Sequence, residues 1–247
     1  MRGFGSQFLL QMKLFIRQKD ELFWNLAFPL FFIVLYGLIY RDIIWDDFGM
    51  RAIEYMLPGI IVMAVMVNGI MSSATSFVEE RGKGIYRRLS LTPVKRQTII
   101  GAQILHRYII ILIQTIILLA IGILAFDISI KGNYFYFWII LTLGAVCFLS
   151  IGFALASIIR SVRSATPLCM IVFFVFLFLG GIFFPNSIMP RFLVVIANGL
   201  PSTHMGDALR AVIIDGLGLG SVWIALAAMG AWIVISLAVS IIFFRWE

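Results

Sequence analysis

The sequence predicts an all-α integral membrane protein with six transmembrane helices, and three observations predict it. Of the 247 residues, 62% are hydrophobic and 13% charged, with a mean hydropathy of +1.06. A soluble chain carries about 25% charged residues, so too few polar side chains are present to coat a soluble surface. Six segments approach the ~20 apolar residues that cross a bilayer: 22–40, 56–78, 103–126, 135–159, 165–184 and 222–244. The charges are clustered, eight of them within "EERGKGIYRRLSLTPVKR" from Glu79 to Arg96. The apolar segments lack the period-2 alternation of a membrane β-barrel.

The N-terminal stretch has Phe4, Phe8, Met12, Phe15 and Ile16 at helical spacing, with Arg2, Gln7, Gln11, Lys13 and Arg17 between them. That pattern predicts an amphipathic helix on the membrane surface over about 4–19. It does not read as a cleavable leader, because charges run through it and no small-residue cleavage site follows.

Orientation follows from the loops. With the N-terminus, the 79–102 and 160–164 loops, Arg107 and the C-terminus on one side, that side holds 14 Lys/Arg and 5 Asp/Glu. The other side holds 5 Lys/Arg and 7 Asp/Glu. Such a bias predicts that both termini are cytoplasmic. The net charge of +7 therefore reflects topology, and no nucleic-acid partner is expected.

No Lys, Arg, Asp or Glu falls mid-span, which lowers the odds of an ion or proton pathway. Asn68, Gln114, Thr115, Thr142 and Ser150 are read as helix–helix hydrogen-bonding groups. Ser72, Ser73, Ala74, Gly152 and Ala156 are read as marks of close packing. Cys147 and Cys169, far apart in apolar stretches, are read as buried hydrophobes. No metal site is expected.

Two loops carry more than topology. From Pro185 to Ser221 the apolar pieces are too short to span, which predicts two short helices at the external surface within 186–214. Pro190 would open the first, Asn198-Gly199 would close it, and Ser202 would cap the second. Leu209, Val212 and Ile213 share one face of that second helix. His204, with Asp207 at i+3, is read as a surface or capping histidine. In the 79–96 segment, Ile85, Tyr86 and Leu89 form an apolar stripe, predicting a short amphipathic helix over 81–90. Thr92 and Pro93 then restart a helix leading into the third span.

The stretch "LPGIIVMAVMVNGIMSSATSFVEERGKGIYRRLSLTPVKRQTIIGAQIL" (57–105) resembles the signature region of the ABC type-2 exporter permeases. It has a proline-glycine near the start of the second span, an acidic-basic-glycine turn, a short helix, a leucine, "TP" and a basic pair. "GGIFFPNSIMP" and "LPSTHMGDALRAVIIDG" are similar to the family's external re-entrant helices. One departure is "GKGIYRRL", where the family often has an acidic residue soon after the glycine.

The resemblance implies one transmembrane permease domain over 1–247, paired with a second permease copy as a homodimer or with a close paralogue. It also implies two copies of a separate cytoplasmic ABC ATPase. The helix after the second span would couple that ATPase to the membrane helices, a role falling on Glu79, Glu80, Arg81, Gly82, Ile85, Tyr86, Arg87, Arg88, Leu89, Thr92 and Pro93. The chain has no GxxxxGK[ST] phosphate loop, so ATP and Mg would be held by the partner, and no cofactor or catalytic residue is expected here. The candidate substrate path is Asn68, Ser72, Phe173, Phe174 and Phe176. The implied function is export of a hydrophobic or amphipathic substrate (a drug-like molecule, a lipid or a lipid-linked saccharide) across a prokaryotic inner membrane, in contact with membrane lipids. An ATP-independent carrier or scaffold is the second function class.

Overall fold

A computed structural model describes residues 4–40, 43–45, 50–89, 96–182 and 189–243. Its axis is the second span, built from α3 (Ala52–Met66), a π-helical turn (Val67–Ser72) and α4 (Ser73–Gly82) in unbroken succession. Apart from Tyr55 and Glu54, every α3 residue is buried, as expected of a helix that is apolar all round. Against this axis pack α2 (Lys19–Ile39), α6 (Arg96–Phe126), α7 (Tyr134–Ile158) and α8 (Val162–Leu179). The last helix, α11 (Trp223–Phe243), lies against α7 after a 3₁₀ turn at Leu219–Val222.

Five described helices are long and apolar enough to cross a membrane: Ala52–Gly82, Thr98–Phe126, Tyr134–Ile158, Val162–Leu179 and Leu219–Phe243. Phe23–Ile39, within α2, is a shorter apolar helix. Both helices run beyond their apolar segments, to 31 residues for Ala52–Gly82 and 31 for α6, the latter continuous with the helix start expected after Pro93. Polar residues extend both helices beyond the apolar stretch, because their polar side chains find partners on each other, as detailed below.

Glycine sets the closest approach between helices. A methyl group added at Gly152 of α7 would lie 2.1 Å from the Gly69 carbonyl oxygen in the π turn, and one at Gly69 would lie 2.6 Å from Phe148 Cβ. The bare backbones therefore touch where the second and fourth spans cross. Ser73 Oγ donates back to Gly69 O at this crossing.

The N-terminal helix is α1 (Phe4–Arg17), two residues shorter than expected, because Gln18 breaks it before α2 begins at Lys19. It lies along α6, with Phe15 buried edge-on against His106 at 5.5 Å between ring centroids. A two-residue antiparallel ladder, β1 (Ile44–Trp45) with β2 (Met50–Arg51), follows α2 and was not anticipated. Arg51 then caps α6 from outside: its guanidinium donates to Phe126 O at 3.0 Å and Asp127 O at 2.9 Å, and pairs with Glu54 at 2.7 Å. A cation there satisfies the last carbonyls of a helix and meets the negative end of its dipole.

The segment between α8 and α11 holds α9 (Arg191–Ala197) and α10 (Pro201–Ile213). Two details differ from the sequence expectation. Pro190 is the residue before α9 rather than its first, and Asn198 ends that helix as foreseen. Ser202 does not cap α10; Leu200 precedes it, Pro201 opens it, and the Ser202 hydroxyl donates to Phe176 O at 3.0 Å. The two helices are also not alike. α9 is largely exposed, whereas α10 is buried on nearly every side, with Leu209, Val212 and Ile213 in the core.

Candidate functional site

The segment after the second span is not one helix over 81–90. α4 continues through Glu79, Glu80, Arg81 and Gly82, and a new helix, α5 (Ile85–Leu89), starts only after Lys83-Gly84. The break is at Gly84, which has φ +65°, a conformation that costs a side-chain-bearing residue energy and glycine nothing. Gly84 N–H closes the turn on Arg81 O at 2.9 Å. Thr92 and Pro93 lie outside the described residues.

Five residues are too few for a helix to hold itself together, so α5 depends on what it touches. Tyr86 is its anchor, 4% exposed, with its ring stacked on Phe77 at 6.0 Å. The Tyr86 hydroxyl donates to Glu80 Oε2 at 2.7 Å and accepts from Gln103 Nε2 at 3.2 Å. Gln103 Nε2 also donates to the same Glu80 oxygen. One carboxylate thus ties the end of α4, the middle of α5 and the start of α6. Burial, and then the neighbouring Glu80 charge, push the Tyr86 phenol well above its ordinary pKa of 10.0, so it stays a neutral donor. Ile85 is half-buried beside it. Arg87 and Arg88 are exposed, and Arg88 donates to Lys83 O at 2.7 Å. Glu79 is exposed and pairs with Lys83 at 3.1 Å. Arg81 turns the other way and donates to Ile159 O, binding the end of α4 to the end of α7.

This lock is one end of a polar seam. Asn68, Ser72, Ser76 and Glu80 recur every four residues and so share one face of the second span. Gln103, Arg107 and Gln114, at i, i+4 and i+11, share one face of α6. The two rows meet antiparallel. Arg107 Nη2 donates to Ser76 Oγ at 2.6 Å and to Ser72 O at 3.3 Å. Asn68 Nδ2 donates to Gln114 Oε1 at 2.6 Å. Asn25 of α2 joins them: its Oδ1 accepts from Ser72 Oγ at 2.7 Å, and its carbonyl accepts from Gln114 Nε2. At 1.5 Å per residue, Asn68 to Glu80 is about 18 Å of helix. The seam therefore runs from the α5 lock to the π turn inside the bundle. Asn68 and Gln114 act as the helix–helix bonding groups expected of them, and Thr142 does too, meeting Tyr108 Oη at 2.8 Å. Ser150 instead bonds within its own helix, to Cys147 O.

The five candidate path residues do not come together. Asn68 and Ser72 are 0% and 9% exposed and face α2 and α6. Phe173 and Phe176 belong to the core on the α8 side. Phe174 points outward and stacks on Phe178. Cys147 and Cys169 are buried free thiols.

A second polar anchor, missed in the sequence, sits at the opposite end of the bundle. Arg210 of α10 is 7% exposed and donates to Gly181 O at 2.6 Å, Ile182 O at 3.1 Å and Tyr55 O at 3.4 Å. Its guanidinium lies 4.1 Å over the Tyr55 ring and pairs with Asp207 at 3.1 Å. The only signal available was the Asp207–Arg210 spacing of three on one helix face. His204, half-buried, is not the partner of Asp207 in that pair.

A bundle of apolar helices around a buried second span, with a short helix hung from its polar end, is the build of a multi-pass membrane transport protein. Residues 7–214 match the model of the ABC-2 type transporter family, and the chain belongs to that family. Relatives include the putative transport permease YvfS of Bacillus subtilis (strain 168), 25% identical over 219 residues, covering 87% of each chain. ABC transporter G family member 20 of Dictyostelium discoideum is 27% identical over 194 residues, which is 78% of this chain. The probable multidrug ABC transporter permease YbhR of Escherichia coli (strain K12) is 22% identical over 169 residues. The chain spans 27% of the Dictyostelium protein and 46% of the Escherichia coli one. It is a membrane-embedded permease of an ABC transporter.

Proposed function

We propose that this permease is the membrane subunit of an ATP-driven exporter, and that a separate cytoplasmic ATPase drives it through α5. The observation that carries the proposal is the three-way bond of Glu80, Tyr86 and Gln103. It makes α5 move with the ends of two spans, which a helix serving only as a topological anchor does not need. Two ATPase copies holding ATP and Mg would serve two permease copies. Glu79, Arg87 and Arg88 form the exposed rim of the docking segment, while Glu80 and Tyr86 hold it in place. Arg81, Gly82 and Leu89 complete the segment, and Thr92 and Pro93 belong to the link onward to α6.

Counting α2 as a span gives six, and the charge bias of the loops supports a reading with α1, α5 and both termini on the cytoplasmic side of a prokaryotic inner membrane. The substrate is a hydrophobic or amphipathic molecule, a class supported by the apolar bundle and by the multidrug name of one relative. ATP binding need only favour one of two arrangements of the helices. Asn68 and Ser72 then serve the path through the π turn they sit on, since π turns within α-helices recur at functional sites. Phe174 would contribute from the outward face of α8.

Charge reversal at both exposed arginines (Arg87→Glu with Arg88→Glu) tests the assignment. The expected result is loss of co-purification with the ATPase and loss of ATP-dependent transport, with the permease still folded. Unchanged ATPase binding and transport would overturn it.

A further inference from the structure

Two cavities lie along α7, one on each side of Val146, which lines both. The lower one, 430 Å³, is walled by α6, α7 and α11 through Ile104, Leu149, Phe153, Ile233 and Leu237. The upper one, 520 Å³, continues past Trp138, Leu143 and Leu226. The lower chamber lies between α6, α7 and α11, and the upper one between α7 and α11. The lower chamber lies beside the part of α6 between Ile100 and Ile104, at the same end of the bundle as α5.

The chemistry of the cleft is almost wholly hydrocarbon. Three hydroxyls reach it, from Thr142, Ser150 and Ser240. Each gives its proton to a carbonyl of its own helix: Thr142 to Trp138 O at 2.7 Å, Ser150 to Cys147 O at 2.7 Å and Ser240 to Ser236 O at 2.9 Å. Among the described residues no charged side chain lines either chamber. A polar substrate group placed there would find no free donor and would lose its hydration without compensation. A saturated chain loses nothing. The walls face outward at membrane depth, with Val146 41% and Leu237 48% exposed, so the cleft opens onto the bilayer.

We propose that the lower chamber is a lipid site, in which one acyl chain of a phospholipid lies against α7 and wedges α6 from α11. The lipid does for α6 and α7 what side chains do elsewhere in the bundle. The volume is within the range of small-molecule sites, about 300–1,000 Å³, and three helical walls distinguish it from the flat faces on which lipid only passes.

The test uses the full chain in nanodiscs of phosphatidylglycerol doped with the same lipid carrying a photoactivatable diazirine in its acyl chain, with labelled residues mapped by mass spectrometry. Label is expected to concentrate on Ile104, Val146, Leu149 and Phe153. Val146→Trp, which fills the waist, and Leu237→Trp, which fills the α11 wall, are each expected to cut that labelling at least fivefold. Ile242→Trp, on an α11 position that is 73% exposed and outside the cleft, is expected to leave it unchanged. Ser150→Ala is also expected to leave it unchanged, since that hydroxyl is already used. Label spread evenly over exposed positions such as Leu124 and Ile242 overturns the proposal, as does wild-type labelling in both filled variants. A cleft shielded from label in dimers but labelled in monomers overturns it as well, because a second copy would then be the occupant. A fivefold loss in Ser150→Ala would mean polar recognition and overturns it too.

Discussion

Replacing Tyr86 by Phe isolates the lock that holds α5. The ring remains stacked on Phe77, so the packing is kept and only the hydroxyl is lost. That deletes the 2.7 Å bond to Glu80 and the 3.2 Å bond from Gln103. A hydrogen bond to a charged group contributes about 1.5–3 kcal/mol. Glu80 is partly exposed, which favours the lower end, about 1.5 kcal/mol. By the 1.36 kcal/mol that corresponds to a factor of ten, the undocked population of α5 rises about tenfold. Trypsin reads this population, because Arg87 and Arg88 are exposed cleavage sites that a protease can use only when the short helix opens. Nicking after Arg87 and Arg88 in Tyr86→Phe is expected about tenfold faster than in the wild type. Cleavage at the exposed Arg160 and Arg163, away from the lock, serves as the constant reference. Equal nicking rates in the two proteins would refute the reasoning, since α5 would then be held by something other than this hydroxyl.

Other predictions follow from the same geometry. Because its pKa is raised in the folded protein, neutral Tyr86 contributes its full stabilisation below the unfolded value of about 10. That contribution is lost as pH rises further, so nicking at Arg87 and Arg88 should be level up to about pH 10 and climb above it, and the climb should be absent in Tyr86→Phe. Gly152→Ala puts a methyl 2.1 Å from Gly69 O and should destabilise by about 1–3 kcal/mol, whereas Gly5→Ala, with nothing within 4 Å, should not lower Tm. Arg210→Met leaves the carbonyls of Gly181 and Ile182 buried without donors; at about 3 kcal/mol this is a drop of about 6–12 °C in Tm, read by thermal unfolding in detergent.

Much of the fold is legible because membrane helices must bury hydrogen-bonded backbone in apolar length. The apolar segments from 56 onward each emerge as a helix within a few residues of the expected start or end, except where polar residues extend them. Hydropathy alone stops short of those extensions: the Thr92-Pro93 restart points to a helix through Arg96–Gln103, whereas the continuation of α4 to Gly82, where a separate helix was expected from Arg81, goes with the Glu80–Gln103 bond across the helices. The seam was partly visible. Asn68 and Gln114 stand out as mid-span polar residues, whereas Ser76 and Gln103 carry no signal in the sequence and Glu80 only a coupling role, until the fourfold spacing of one row faces the other. The break at Gly84 is written in the sequence as "GKG", inside the single helix expected over 81–90. The positive φ needed to turn the chain makes it a terminator instead. Arg210 was hard to read because, beyond Asp207 three residues before it, its hydrogen-bond partners are backbone carbonyls, which leave no trace in side-chain pattern. The path residues were picked by polarity and aromaticity along separate helices, and neither property fixes which way a side chain faces.

Whether a partner ATPase does work on this permease through α5 is read in proteoliposomes. The permease and a candidate partner ABC ATPase are reconstituted together, and ATP-dependent movement of a fluorescent amphipathic substrate is followed with wild-type permease and with Arg87→Glu/Arg88→Glu. The account predicts movement that needs ATP, the ATPase and the two arginines together, with hydrolysis stimulated by substrate only in the wild type. Movement that persists without ATP or ATPase, or that proceeds equally with both arginines reversed, would contradict it.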